Sequence, residues 1–301
     1  APRGRVAVGS GARFEERRHS ECFASPRGRG DIVMGFWRRL LGGDRRRISD
    51  ISDELWAQAL KDHPIVRALS AEQLSRLRTR TGEVLSRISI DTARGVDRGE
   101  ELRLSVALQA ALPVLELGVE WYRAVRTILL VPDEYETELT TVDEAGVVHE
   151  GVDTISGEMG HQQPVVLSVA DVEASGWGEG YNVVIHEMAH VLDAADGEAD
   201  GVPPLPPEIN PGRWRAVFAA ARSDHERRVR RAEARGASRA GRAAGGAPVL
   251  DPYAAEGREE FFACSVELFF ERPRRLKRAY PELFEELRSF FGIDPSGLSG
   301  E

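Results

Sequence analysis

The segment from Val183 to Leu192 constrains the fold more than any other part of the 301-residue chain. It places His186 and His190 four positions apart, puts Glu187 beside the first, and flanks them with valine, isoleucine and leucine. On a helix, residues i and i+4 lie on the same face, so both imidazoles can reach one point while the apolar side is buried. The segment therefore predicts a helix at the wall of a cleft, with a histidine pair facing that cleft.

The H-E-x-x-H spacing on this helix is typical of a metal site. Zinc prefers imidazole nitrogens in a tetrahedral arrangement, and His186 and His190 supply two of them. Glu187 lies next to the ligands, where its carboxylate can address a water molecule at the metal rather than the metal itself. Roughly 0.02 chance matches are expected in a chain of this composition. Two ordinary helix histidines are therefore the weaker interpretation.

A catalytic zinc site needs a third protein ligand, and the residues alone leave several candidates. The metzincin pattern requires Gly at 193 and His at 196; the chain has Asp193 and Asp196 there, so that class is excluded. Asp196 stays open as a carboxylate ligand. Glu260 and Glu267 lie two helical turns apart among phenylalanines, where carboxylates need partners. One of these two can bind zinc while the other supports a histidine N–H.

The composition excludes several classes of protein. The chain has 40 basic and 49 acidic residues and a net charge of −9, which argues against direct nucleic-acid binding. Cys22 and Cys264 are the two cysteines, so a disulfide scaffold and multi-cysteine metal sites are excluded. The longest apolar stretch, Leu104 to Val119, includes a glutamine, a proline and a glutamate, and is too polar to span a bilayer. We expect a cytoplasmic protein with no membrane span.

The patterning divides the chain into a tail and one domain. Residues 1–33 are rich in Arg and Gly without apolar periodicity, and we interpret them as a disordered tail upstream of the true start. Residues 34–295 are expected to form a single domain, with a helical N-terminal part over 50–121 and a catalytic part over 122–295. Within the latter, the Arg-, Ala- and Gly-rich stretch 228–247 predicts a mobile loop.

Apolar residues at helical spacing predict helices, and alternating apolar residues predict strands. The predicted helices are two within 51–90 separated at His63-Pro64, one over 98–121 kinked at Pro113, one over 181–194, one over 259–271, and two within 276–291 separated at Tyr280-Pro281. The predicted strands are 127–131, 164–169 and a hairpin over 137–155 with its turn at 144–146.

Taken together, these motifs resemble the Mlc titration factor A family of bacterial zinc metallopeptidases. The resemblance covers about residues 50–295 and rests on the segments 112–118, 182–193, 196–203, 251–255, 260–270, 280–284 and 294–295. It implies an α+β fold with a zincin-like catalytic core of the gluzincin, lethal-factor type. In such a core a small mixed sheet packs on helices, and the H-E-x-x-H helix lies across it.

The resemblance also implies the ligand set. One Zn²⁺ per chain would be held by His186, His190 and Glu260, with Glu260 rather than Glu259 as the third ligand. The tyrosine of the family's Tyr-Ala-Ala motif lies near the metal, and here it is Tyr253. No other cofactor is implied.

The remaining roles follow from this ligand set. Glu187 is expected to act as the general base, and Tyr253 to donate a hydrogen bond to the oxyanion. Asp193 and Glu267 are expected to orient the histidines by accepting a hydrogen bond from the imidazole nitrogen that does not bind the metal. The segment 158–164 departs from the family pattern, which concerns substrate specificity more than chemistry. The stretch 228–247 resembles an insertion that shields or regulates access.

The resemblance implies hydrolysis of peptide bonds, with aminopeptidase-like action on small peptides and a peptide or protein as substrate. Since an enteric member binds a glucose-responsive transcription repressor, the alternative is a regulatory protein that sequesters such a repressor, with latent or secondary peptidase activity. A third hypothesis is a protein that binds nucleic acid through the Arg-rich residues 1–47. It predicts that binding depends steeply on salt concentration.

Overall fold

The architecture comes from a computed structural model that describes residues 51–93, 96, 99–132, 141–142, 148–149, 164–236 and 248–297. The predicted tail 1–33, the hairpin turn 144–146 and residues 158–163 of the divergent segment 158–164 lie outside the described residues. None of the helices in the described parts of the chain is long and apolar enough to cross a membrane.

The described residues contain nine α-helices, five strands and five short 3₁₀ helices. The α-helices are α1 Asp53–Asp62, α2 Ala71–Arg87, α3 Glu100–Ala111, α4 Val169–Ala174, α5 Val183–Asp193, α6 Pro211–Gly236, α7 Arg258–Glu271, α8 Pro273–Ala279 and α9 Pro281–Phe291. The strands are β1 Ser89–Thr92, β2 Thr127–Val131, β3 Thr141–Val142, β4 Val148–His149 and β5 Val165–Ser168. The 3₁₀ helices are Pro64–Ala68, Val119–Tyr122, Ala194–Asp196, Pro252–Ala255 and Pro295–Gly297.

The sheet is small and lies beside the helices. Strands β1, β2 and β5 are parallel in the order β1-β2-β5, so that Ile128 of β2 pairs with Ile90 on one side and Val165 on the other. Strands β3 and β4 form a separate antiparallel pair, as the predicted hairpin requires. The α+β class is confirmed, whereas the sheet, expected to be mixed, is parallel throughout its three described strands β1, β2 and β5.

Helix α7 runs through the interior and packs along α5. Every residue from Glu260 to Glu271 is buried, because aromatic side chains of α6 and α9 enclose the helix. Trp214 of α6 stacks on Phe218 with ring centroids 4.5 Å apart and meets Phe290 of α9 edge-on at 5.6 Å. This packing holds the carboxylates of α7 inside the protein, where they require partners.

Two predictions of helix length are wrong. The helix expected over 98–121 ends at Ala111 instead of kinking at Pro113, because a turn follows and Gly118 adopts a φ of +94°. Helix α6 continues to Gly236, so residues 228–236 are helical although a loop was predicted over 228–247. Ion pairs at i,i+4 spacing, such as Asp224 with Arg228, support this helix where apolar residues are few. Residues 237–247 lie outside the described part of the chain.

The remaining elements agree with the patterns to within a few residues. The break at His63-Pro64 separates α1 from α2, since proline favours the start of a new helical turn. The strand expected over 164–169 ends at Ser168, whose hydroxyl accepts a hydrogen bond from Asp171 N and so begins α4. Strand β1 was not predicted, because Ile90 also fits the helical spacing of the residues before it.

Candidate metal centre

Helix α5 begins at an asparagine that fixes its position. The Asn182 side-chain oxygen accepts a hydrogen bond from Ile185 N at 2.9 Å, which caps the helix. From this start, the helical period places His186 and His190 one turn apart on the same face. Their ring centroids are 4.9 Å apart and their planes are inclined by 73°, so both Nε2 atoms point to one region. The helix predicted from the sequence therefore has the expected histidine pair.

Helix α7 completes a triangle of ligand atoms. His186 Nε2 lies 3.2 Å from Glu260 Oε2 and 3.2 Å from His190 Nε2, and the third side, from His190 Nε2 to Glu260 Oε2, is 3.4 Å. With bonds of about 2.05 Å, a tetrahedral zinc ion needs ligands about 3.3 Å apart. Two imidazole nitrogens and one carboxylate oxygen at this spacing fit such an ion, and the three residues could hold a metal.

The electrostatics of the triangle favour a cation. Burial raises the pKa of Glu260, but its contacts with His186 and His190 outweigh burial and bring that pKa to about 2. Burial lowers the pKa of His186, yet its contacts with Cys264, Glu260 and Glu267 hold that pKa well above its ordinary value. Both shifts have the same origin, since buried carboxylates demand positive charge between them. A divalent cation satisfies that demand.

The other ring nitrogen of His186 faces a second group of donors. His186 Nδ1 lies 3.5 Å from Glu267 Oε2 and 4.0 Å from Cys264 Sγ. The other oxygen of Glu267 accepts a hydrogen bond from Asn182 N at 2.5 Å. Glu267 therefore lies between the start of α5 and His186, and its expected role of orienting that histidine stays a prediction.

A second buried acid, which the sequence analysis missed, holds the same helix start. Glu271 accepts hydrogen bonds from Asn182 Nδ2 at 2.9 Å and from Gly178 N at 2.7 Å. Burial is the main cause that raises the pKa of Glu271 to about 7. We call Asn182, Glu267 and Glu271 the helix clamp. The spacing of four between its two glutamates, on a helix otherwise lined with phenylalanine, was the signal available in the sequence.

Asp193 is fully buried at the end of α5. Its Oδ2 accepts a hydrogen bond from Gly201 N at 2.9 Å, whereas Oδ1 has no hydrogen-bond partner among the described residues. Burial, and then repulsion from Asp200, raise the pKa of Asp193 to about 7. Its expected contact with a histidine stays a prediction. Asp196, the open alternative for the third ligand, is exposed and accepts a hydrogen bond from Glu198 N.

The two residues expected to act on substrate line one cleft. Glu187 and Tyr253 both border it, together with His186 and Tyr181. The Tyr253 ring centroid lies 6.4 Å from that of His186. Its position is set by Asp251, which begins the 3₁₀ helix and accepts a hydrogen bond from Tyr253 N at 3.0 Å. The arrangement places an acid and a phenol beside His186 at the cleft.

Known proteins are similar to this sequence over most of its length. The family model described as glucose-regulated metallo-peptidase M90 matches residues 37–292, which include every residue of the ligand triangle and the cleft. The chain is 32% identical over 241 residues to Mlc titration factor A of Serratia proteamaculans, a match that covers 80% of this chain and 87% of the relative. It is 32% identical over 234 residues to the protein of that name from Edwardsiella ictaluri, covering 77% and 85%. The protein of that name from Salmonella arizonae is 29% identical over 252 residues, covering 83% and 95%.

Proposed function

The chain belongs to the glucose-regulated metallopeptidase family M90, and on that premise we propose that it is a zinc-dependent peptidase with a zincin-like core of the gluzincin type. The observation that carries the proposal is the nearly equilateral triangle of ligand atoms, with sides of 3.2, 3.2 and 3.4 Å. A hydrolytic site also needs a base beside the metal, and Glu187 lines the same cleft as His186, its neighbour in α5.

His186, His190 and Glu260 would hold one Zn²⁺ per chain. When bound, zinc supplies Lewis-acid polarisation of the scissile carbonyl and makes water a better nucleophile at neutral pH. Glu187 takes the proton from the attacking water on its carboxylate and then passes it to the nitrogen of the leaving amine. The Tyr253 hydroxyl donates a hydrogen bond to the oxygen that develops negative charge.

The buried acids would position the histidines. Glu267 accepts from the Nδ1–H of His186 and thereby turns the Nε2 lone pair toward the triangle, a role that its 3.5 Å distance supports. Asp193 would do the same for His190, since its buried Oδ1 has no hydrogen-bond partner among the described residues. Helix α7 is buried among aromatic side chains, so these contacts act with little screening by water.

An extended peptide is the substrate that this site suits. Within the described strands, β5 has a hydrogen-bonded neighbour on one side only, which leaves an edge to which a peptide can add as a further strand. Glu187 and Tyr253 line the cleft beside His186, where the peptide bond of such a substrate would lie. We further propose aminopeptidase-like action on small peptides, following the resemblance to the family.

The decisive experiment is the zinc content of the purified protein, measured by elemental mass spectrometry. About one zinc per chain is expected in the wild type, with a marked loss in Glu260→Ala. Glu259→Ala is the matched control, because it removes the neighbouring carboxylate of α7 outside the triangle, and it should keep its zinc. Full zinc in Glu260→Ala would move the third ligand to Asp196 or Glu267. A wild type without zinc would overturn the proposal.

The role of Glu187 has its own test. Glu187→Gln should keep its zinc and lose about 10²- to 10⁴-fold in kcat for peptide hydrolysis, the range typical of a general base. A diverse peptide library provides the substrates. If the zinc-loaded wild type hydrolyses none of them, the enzyme proposal fails.

The name of the relatives supports a second candidate function. They are called Mlc titration factor, which indicates a protein that binds Mlc. The alternative is a regulatory protein that sequesters such a transcription repressor, with peptidase activity as a secondary property. Titration calorimetry with purified Mlc separates the two. If Glu187→Gln binds the repressor as the wild type does while hydrolysis is lost, both functions exist independently.

A further inference from the structure

Three potential ligand atoms form a second group, apart from the zinc triangle. They belong to His186, Cys264 and Glu267, and a nitrogen, a sulfur and an oxygen of these residues all lie within 4.8 Å of one another. The Nδ1–Sγ distance is 4.0 Å and the Nδ1–Oε2 distance is 3.5 Å. A tetrahedral ion with one thiolate ligand needs about 3.6 Å between sulfur and nitrogen. Sγ would therefore have to move by only about 0.4 Å.

The helical period explains why one helix serves both nitrogens of the ring. Glu260, Cys264 and Glu267 stand at positions i, i+4 and i+7 of α7, on a single face directed at α5. Glu260 meets Nε2 of His186, and the other two meet Nδ1. Cys264 and Glu267 also line the cleft, so an ion can reach them from solvent.

We propose that His186 Nδ1, Cys264 and Glu267 form a second metal site, selective for thiophilic divalent cations. A thiolate is a soft ligand, whereas the zinc triangle of two nitrogens and one oxygen has none. Binding releases the thiol proton to solvent, because the thiolate is the form that coordinates a metal. The proton on His186 Nδ1 is also released from that atom, and the neutral ring carries its proton on Nε2 instead, which frees the Nδ1 lone pair.

The two sites compete for one residue. A neutral imidazole has one lone pair and one N–H, so His186 can ligate through Nε2 or through Nδ1, not both. A thiophilic cation at the second site therefore withdraws His186 from the zinc triangle. Resting on the proposed function, this makes the second site inhibitory.

Cadmium(II) is the probe, because its bond to a thiolate gives a charge-transfer absorption in the ultraviolet that nitrogen and oxygen ligands do not give. The full-length protein, treated with a chelator, is titrated with cadmium. The band should appear in the wild type and saturate near one ion per chain. It should persist in Cys22→Ser, the matched control, and in Glu260→Gln, which weakens only the triangle. It should be lost in Cys264→Ser and in Cys264→Ala.

Far-ultraviolet circular dichroism confirms that each variant is folded, and two cysteine variants guard against a misfolded one. No band in the wild type, or a band that survives both Cys264 variants, would overturn the proposal. One equivalent of zinc, added first, should weaken cadmium binding at least about tenfold in the wild type and much less in Glu260→Gln. Equal effects of zinc on both proteins would overturn the competition. These measurements record binding alone, so a failure of the peptidase proposal leaves them readable.

Discussion

Replacing Glu267 by glutamine tests whether this one carboxylate of the helix clamp controls metal binding. The Glu267 side chain is 8% exposed, and one of its oxygens accepts a hydrogen bond from Asn182 N while the other faces His186 Nδ1. Glutamine has one oxygen and one NH₂ group. If its oxygen keeps the bond to Asn182 N, its NH₂ meets the N–H of His186, and two donors face each other. The tautomer that exposes the Nε2 lone pair is then disfavoured.

The expected loss can be set from this geometry. Removing the carboxylate partner of a ligating histidine weakens metal binding by about 10- to 100-fold, or about 1.4 to 2.7 kcal/mol. Glu271→Gln is the matched control, since Glu271 lies one turn further along α7 and shares Asn182 as a partner. Glu271 accepts hydrogen bonds from Asn182 Nδ2 and Gly178 N, at the start of α5 and in the loop before it, rather than from His186. Its zinc affinity should change by less than about threefold, which is below 1 kcal/mol.

Zinc affinity is measured by competition with a chromophoric chelator, and thermal unfolding is followed in parallel. Both variants should lose some stability, because each disturbs a buried hydrogen bond, at about 1 to 3 kcal/mol. Glu267→Gln alone should lose zinc affinity. Unchanged affinity in this variant, or an equal loss in Glu271→Gln, would refute the reasoning that the carboxylate acts on His186.

Two further predictions concern the buried contact between α1 and the loop before α5. Burial outweighs the nearby Asp62 and lowers the pKa of His63 to about 4, so the unfolded chain takes up this proton first as the pH falls from 6.5. Between pH 6.5 and 4 the free energy of unfolding should therefore fall in the wild type relative to His63→Gln, by on the order of 3 kcal/mol. Chemical denaturation of both proteins at both pH values measures this, and a difference between them that is the same at pH 6.5 and at pH 4 would contradict it. Gly176 has a φ of +86°, and an added Cβ would lie 2.6 Å from His63 Nδ1. Gly176→Ala should destabilise the protein by about 2 to 4 kcal/mol. Gly197→Ala is the control, because Gly197 has a φ of +102° but open space around it, and this change should cost about 1 kcal/mol. Equal shifts in melting temperature for the two variants would show that the contact with His63 does not matter.

Local sequence was enough to predict the elements on which the candidate site depends. The helix around His186 and His190 follows from one apolar side and a spacing of four, and both signals are local. The buried helix with Glu260 and Glu267 could be recognised because carboxylates among phenylalanines need partners. The choice between Glu260 and the other acids was not local, since it depends on how α7 crosses α5. It came from the resemblance, and the structure brings Glu260 to the two histidines.

The parts that could not be predicted depend on contacts between distant segments. Glu271 becomes a clamp residue only because the loop at Gly178 folds over the end of α7, 93 positions away in the chain. Ile90 fits a helical pattern, and it lies in a strand because β2 is available to pair with it. The end of α3 at Ala111 reflects competition between the apolar pattern, which continues, and a proline, which favours a turn.

The placement of Glu260, Cys264 and Glu267 on one uninterrupted helix restricts how this chain can change in length. Each residue added to a helix rotates everything beyond it by about 100°. One inserted residue between positions 260 and 267 would therefore turn the carboxylate that supports His186 away from it, while leaving the zinc ligand in place. Between helices, a length change has no such angular effect. Insertions and deletions in relatives with the same chemistry should therefore be absent from 260–271 and concentrated in connecting segments, where they alter access to the cleft without altering the metal centre.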